Sequence, residues 1–311
     1  MDEVLTKSII HLATLAILLI VLLFILVFTG VVGCNIVPGG CDIYYSLVKG
    51  GSPNVLIAHS GDGMGDYEKL YSLFNNRDIV NTQVKVMDIS RLSTGNINDY
   101  DLIIVTDARK ICSSKLKLFQ EYYNRGGRLV WTGDAGTELC ENDSLLLESE
   151  RIEGGANTPI GPWARKDTGK QVSFDEFLGV NYKGNHCEFT TCAVGEKTGN
   201  IESIDSEHKF TYGLSNSIPF SGDFGVVKIN KSSNARLVAI LDYGSSLVAE
   251  PNEVPWLVSG KYSFGNELPF IVSNLVGERV VYYATPLESF LEQEQKYKAI
   301  VEQMYYGMLY N

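Results

Sequence analysis

Polar side chains gathered just after short apolar runs carry most of this chain's potential chemistry. His59, Ser60, Gly61 and Asp62 follow VLIA, Asp88 follows QVKVM, Asp107 follows DLIIVT, and Asp134 follows RLVWTG. If the apolar runs are strands of one open sheet, these residues sit beyond the carboxyl ends, where such sheets bind ligands. Carboxylate oxygens suit hard divalent cations such as Mg2+ or Ca2+. Asp62, Asp107, Asp134 and His59 together therefore form a candidate cation or hydrolytic site, with Ser60, Gly61 and Asp88 as further ligand-binding positions. The plainer reading is that Asp and Ser at strand ends make turns and cap helices.

Gly61-Asp62-Gly63-Met64-Gly65 invites a dinucleotide reading, but the third glycine of G-x-G-x-x-G is replaced by Asp66. A carboxylate there repels the pyrophosphate that would need the same helix N-terminus. Six cysteines fall into three local groups, Cys34/Cys41, Cys112/Cys140 and Cys187/Cys192. An even count with compatible pairings points to disulfides and an oxidising compartment. Cys112 and Cys140 follow neighbouring strands, which suits a bridge. His186-Cys187 with Cys192 resembles part of a zinc site, but a fourth ligand is missing nearby and a loop disulfide is simpler. Asn142-Asp143-Ser144 and Asn230-Lys231-Ser232 are glycosylation sequons. Trp163 and Trp256, in Pro-flanked loops, are either exposed aromatics for a sugar or protein, or anchors that bury a loop.

These residues need elements to place them. Apolar runs at Val55–His59, Gln83–Met87, Asp101–Thr106 and Arg128–Thr132 read as strands, with helices at Gly65–Asn75 and Lys115–Asn124 between them. Such alternation indicates an α/β domain with a mostly parallel sheet. From about 135 to 213 the pattern breaks into Gly, Asn, Thr and Ser, read as a long irregular insertion with one short helix at Ser173–Leu178. Strands resume at Gly225–Ile229, Arg236–Leu241, Pro269–Ser273 and Arg279–Ala284. Pro286 then opens a terminal helix, with Phe290, Leu291, Ala299–Val301, Met304, Tyr305 and Met308 as its core-facing stripe.

Ile9 to Gly33 is apolar and uncharged, long enough to cross a bilayer as a helix. Residues 1–8 form a short tail before it, and 34–53 a stalk after it. A cleaved signal peptide has a shorter apolar region, although Val31-Val32-Gly33-Cys34 resembles a lipobox that would lipidate Cys34. Either way the large domain is tethered to lipid. Net charge is −11, with no run of Lys or Arg, which argues against nucleic acid as a partner. The cysteines favour a domain outside the cytoplasm. A nucleotide-sensing module on the cytoplasmic side would require reduced thiols.

The order NVLIAHSGDG, YDLIIVTDA, LKLFQEYYNRGGRLVWTGDAG, then LPFIVSN and GERVVYYATPLES, resembles class I glutamine-amidotransferase-like domains, particularly their ThuA-like relatives. The resemblance covers most of residues 53–311 outside the insertion. It implies a flavodoxin-like three-layer α/β/α domain over 54–311. Active amidotransferases carry a G-x-C-x-G elbow, whereas the matching position here reads Val105-Thr106-Asp107-Ala108-Arg109, and Ala284–Ser289 supplies no histidine. A thiolate nucleophile needs a nearby imidazole, so the amidotransferase chemistry is expected to be absent. The expectation is therefore a single-pass membrane protein displaying a non-catalytic module, a binding or accessory subunit of an envelope complex, with no cofactor. The alternative is a carbohydrate-active or metal-dependent hydrolase using Asp62, Asp107, Asp134 and His59.

Overall fold

The computed structural model describes residues 2–28, 46, 51–76, 80, 82–192, 197–249, 262–290 and 298–310. The apolar N-terminal segment is one helix, α1 (Asp2–Phe28). It starts earlier than the apolar run suggested, and 29–33 lie outside the described residues. Lys7–Ile25, 19 residues, is long and apolar enough to cross a membrane, and none of it is buried against the rest of the chain. At 1.5 Å per residue it spans roughly 28 Å, close to a bilayer core. The proposed stalk, Cys34 and Cys41 lie largely or wholly outside the described residues.

The first half of the globular part follows the expected alternation. Strands β1 (Asn54–His59), β2 (Gln83–Asp88), β3 (Leu102–Val105) and β4 (Arg128–Thr132) are joined in part by helices α2 (Tyr67–Phe74) and α3 (Ser113–Asn124). All four residues of β3 are fully buried, as a strand covered on both faces requires. β1 pairs in parallel with β2 and β3, β3 with β4, and β4 with β14 (Val280–Tyr283). The chain reverses its direction of travel at β1, so right-handed crossovers put α2 and α3 on opposite faces. On one side, Phe74 of α2 meets Tyr305 of α7 (Lys298–Leu309) at 5.8 Å. On the other, Phe119 of α3 and Phe174 of α5 (Phe174–Leu178) pack on Trp131.

Beyond β14 the sheet becomes antiparallel. The nine-stranded order is β10-β9-β12-β13-β14-β4-β3-β1-β2, where β9 is Lys197–Ser203, β10 Ser217–Ser221, β12 Arg236–Ala249 and β13 Tyr262–Asn274. The sheet is thus mixed, and β12 and β13 run well past the Arg236–Leu241 and Pro269–Ser273 cores read from sequence. Pairing β13 against β14 reverses the parallel rule because β13 enters from a hairpin-like partner rather than a helix crossover.

The stretch 135–213 is a correction. It holds regular structure: a three-stranded antiparallel sheet of β5 (Asp143–Leu145), β6 (Ala164–Asp167) and β7 (Lys170–Ser173), the short helices α4 (Glu148–Arg151), α5 and α6 (His186–Phe189), strand β8 (Val180–Asn185), and β9 of the main sheet. β11 (Gly225–Ile229) forms as expected but pairs with β8. Strands β5, β6 and β7 are short and polar, so no alternation marked them. Arg165 holds the region instead. Its fully buried guanidinium donates to the carbonyls of Ile111, Gly136, Glu138 and Pro162 and faces Asp143 at 3.2 Å. Burial pushes its pKa down to about 10.

Pro286 leads into a short 3-10 turn, Leu287–Phe290; 291–297, with Leu291, lie outside the described residues, and α7 carries Ile300, Val301, Met304, Tyr305 and Met308 buried. Of the two readings of Trp163, the structure bears out the anchor that buries a loop. It is fully buried, and its Nε1 donates to Ala135 O at 2.9 Å, the same carbonyl that Trp131 uses. Trp256 lies outside the described residues.

Candidate functional site

The parallel strands deliver their polar residues to one crest. At its centre, Asp107 follows β3 with φ of +47°, a left-handed backbone that non-glycine residues rarely adopt. This is the position that the sequence resemblance matches to the amidotransferase elbow. Its peptide N–H donates to Met64 O at 3.0 Å, and its carbonyl accepts from Ser60 N and Gly61 N. Asp107 Oδ1 accepts from Gly63 N at 3.0 Å. A side chain at Gly63 would run into the Ala108 backbone, which is why glycine stands there. Burial raises the Asp107 carboxyl above the ordinary range, helped by the neighbouring Asp62 and Asp134 charges.

The other crest carboxylates are held by hydrogens of their own chain. Asp62 accepts from Arg109 N at 2.8 Å, Lys110 N at 3.2 Å and Ser60 Oγ at 2.6 Å. Asp134, only 1% exposed, accepts from Met64 N at 2.8 Å and pairs with Arg109 Nε at 2.8 Å. Asp66 caps α2 by accepting from Glu68 N and Lys69 N, so a carboxylate already occupies that N-terminus and the dinucleotide reading has no room. Asp88 caps a 3-10 turn through Ser90 N at 2.7 Å, and this bonding lowers its pKa. His59 lies opposite Asp88 in the β1–β2 register and stacks on Tyr67 with centroids 3.7 Å apart. The structure therefore brings Ser60, Gly61, Asp62, Asp107 and Asp134 together as a mutual loop lock, with His59 and Asp88 on its flank.

Sequence reasoning missed three participants. Arg109 neutralises Asp134. Glu288, 2% exposed, sits under the elbow and accepts from Thr106 Oγ1 at 2.6 Å and Asp66 N at 2.7 Å. Burial pushes its pKa up to about 7, and its Oε2 is buried without a partner. Nothing in the ATPLES segment flagged it, because only the β14–β4 pairing carries that segment to the crest. The third is Asp223, in the loop between β10 and β11.

Asp223 belongs to a corner beside the crest. The disulfides Cys112–Cys140 and Cys187–Cys192 are both present, and no free cysteine exists among the described residues. Around the second, the ligating atoms of His186, Cys187, Cys192 and Asp223 lie within 4.8 Å of one another. None of the crest aspartates belongs to this group. The sequons also separate. Asn142 is exposed, whereas Asn230 is 4% exposed and its Nδ2 donates to Asp175 Oδ2 at 2.9 Å.

No protein-family model matches this chain, and no curated protein matches it by sequence. Among solved structures, a ThuA-like protein from Bacteroides uniformis superposes with a TM-score of 0.51 at 16% identity, over 82% of this chain and 92% of that one. A β-galactosidase from Rahnella sp. R3 also gives 0.51 at 16% identity, over 84% of this chain but 32% of the enzyme, about a third of its length. A glutamine amidotransferase from Thermotoga maritima aligns at 0.47 and 9% identity, over 84% of this chain and 99% of that one. Identities this low speak to architecture alone, and the architecture is similar to that of the ThuA-like protein.

Proposed function

We propose that this chain is a membrane-anchored amidotransferase-like module that acts by binding, as an accessory subunit of an envelope complex, with its large domain outside the cytoplasm. We read its domain as a flavodoxin-like three-layer sandwich. The observation that carries this reading is the elbow. Asp107 stands where a nucleophile would, and the carboxylates around it are tied to backbone N–H groups and Arg109 rather than left open for substrate. The apolar helix α1 supports the anchor, and two disulfides support an oxidising compartment. A carbohydrate-active or metal-dependent hydrolase is the competing reading. One observation favours it: Asp107 combines a left-handed backbone with a burial-raised carboxyl, and such features concentrate at functional sites.

The test uses the full chain in mild detergent, against nitrophenyl glycosides and esters with and without Mg2+ or Ca2+. Binding predicts no turnover that Asp107→Asn removes, and the same cross-linked partner from native membranes for wild type and Asp107→Asn. Turnover abolished by Asp107→Asn overturns the reading.

A further inference from the structure

We propose that the Cys187–Cys192 disulfide is the closed form of a redox-gated zinc site, in which reduction frees two thiolates to join His186 and Asp223 around one ion. The donor set is two sulfurs, one imidazole nitrogen and one carboxylate oxygen, a combination suited to tetrahedral zinc. With zinc–ligand bonds of about 2.0–2.3 Å, ligand atoms stand roughly 3.3–3.8 Å apart around the ion. The present atoms are all within 4.8 Å of one another, so side-chain rotation suffices once the bridge opens. The Cα atoms of Cys187 and Cys192 are 5.3 Å apart, a spacing compatible with either state.

Each non-sulfur ligand is already aimed. His186 Nδ1 lies 3.4 Å from Cys192 Sγ. Its other nitrogen, Nε2, lies 3.2 Å from Tyr243 Oη and 3.1 Å from Thr190 Oγ1, an outer contact of the kind that fixes a metal-bound imidazole. The ring stacks on Phe224 at 4.9 Å. Asp223 accepts from both Cys187 N and Phe224 N at 2.9 Å, and both bonds fall on Oδ1, which leaves Oδ2 for the ion. The same bonds clip the α6 and β11 segments together, so the four ligands ride on one local frame.

Opening requires a reductant, a dithiol in the cell or a phosphine in the tube. The S–S bond takes up two electrons and two protons, and the dithiol leaves as its own disulfide. Zinc then displaces the two thiol protons to solvent. In an oxidising compartment the bridge stays closed and no ion is held.

Cobalt(II) tests this on the full chain in detergent. After phosphine reduction and buffer exchange, wild type should bind one equivalent and show a thiolate-to-cobalt charge-transfer band with intense tetrahedral visible bands. Zinc should bleach these. The unreduced chain should show neither. A Cys112→Ser/Cys140→Ser variant should keep the bands and Cys187→Ser/Cys192→Ser should lose them, while His186→Gln and Asp223→Asn weaken binding at least tenfold. A melting temperature raised by zinc only in the reduced chain supplies a second reading. No band and no zinc-dependent melt in reduced wild type, or bands persisting in Cys187→Ser/Cys192→Ser, overturns the proposal.

Discussion

At the crest, acceptors meet donors; at the corner, acceptors meet one another. Asp62 and Asp134 each face N–H groups contributed by neighbouring loops. His186 Nδ1, the two Cys sulfurs and Asp223 instead converge within 4.8 Å of one another, with the backbone N–H bonds to Asp223 falling on Oδ1 alone. The first arrangement stores its polarity in the fold. The second keeps lone pairs available, and a covalent S–S bond is what lets it close without an ion. A row of aspartates in sequence is therefore a poorer guide to a cation site than a mixed donor set that the tertiary fold assembles.

The largest expected effect separates the two bridges. Cys112–Cys140 closes 28 residues and Cys187–Cys192 only 5. Loop-closure entropy then assigns about 3.5 kcal/mol to the first and about 2 to the second. Melts of the two double-serine variants of the full chain check the order. An equal cost would mean that the corner bridge is as structural as its partner, and the contrast drawn above would fail.

Next, Asp134→Ala should cost about 3 kcal/mol, because it strands Met64 N and removes the counter-charge of Arg109. The more exposed Asp62 should cost about 1 kcal/mol on the same substitution. If both melt alike, the crest is not held mainly through its buried member.

Glu288 gives a pH signature. Its pKa is raised from 4.5 to about 7, so between those values the folded chain binds more protons than the unfolded one. Its contribution is complete below pH 4.5 and is lost as pH rises through about 7. Glu288→Gln stays neutral and should gain on wild type as pH rises, by up to about 3 kcal/mol above pH 7. Glu278 runs the other way. Its hydrogen bond to His208, with the nearby charges, lowers it from 4.5 to about 2, so its contribution is present above pH 4.5 and is lost toward pH 2. Denaturant melts across pH 2–9 read both. A pH-independent difference between wild type and Glu288→Gln would remove Glu288 from the crest's electrostatics.

The smallest effect is at the elbow. Asn tolerates left-handed φ and keeps the Oδ1 acceptor for Gly63 N, so Asp107→Asn should shift stability by less than about 1 kcal/mol. Export of the chain through a secretory pathway that glycosylates Asn sequons should add one glycan, lost in Asn142→Gln and unchanged in Asn230→Gln. Modification at Asn230 would mean that the Asp175–Asn230 contact opens.

Much of the parallel half was legible. VLIAH, QVKVM, DLIIVT and RLVWT are apolar runs bounded by turn residues, and the helices between them carry spaced apolar faces, so local pattern and tertiary position agree. The segment 135–213 was not legible, because Asp143–Leu145 and Ala164–Asp167 are polar strands whose stability comes from the buried Arg165, a contact set scattered over three loops and β5. Glu288 and Asp223 were invisible for the same reason. Each is an ordinary acidic residue until strand pairing sets it beside Thr106 or Cys187.

Composition and pattern alone determined an apolar N-terminal helix, an α/β domain and a set of bridging cysteines, since hydropathy, period and thiol count are properties of the chain read in order. Only the tertiary structure decided which acidic groups are spent on hydrogen bonds and which remain open. That choice depends on what lies within about 3 Å of an oxygen, and at this crest several of those neighbours come from 44 to 222 positions away.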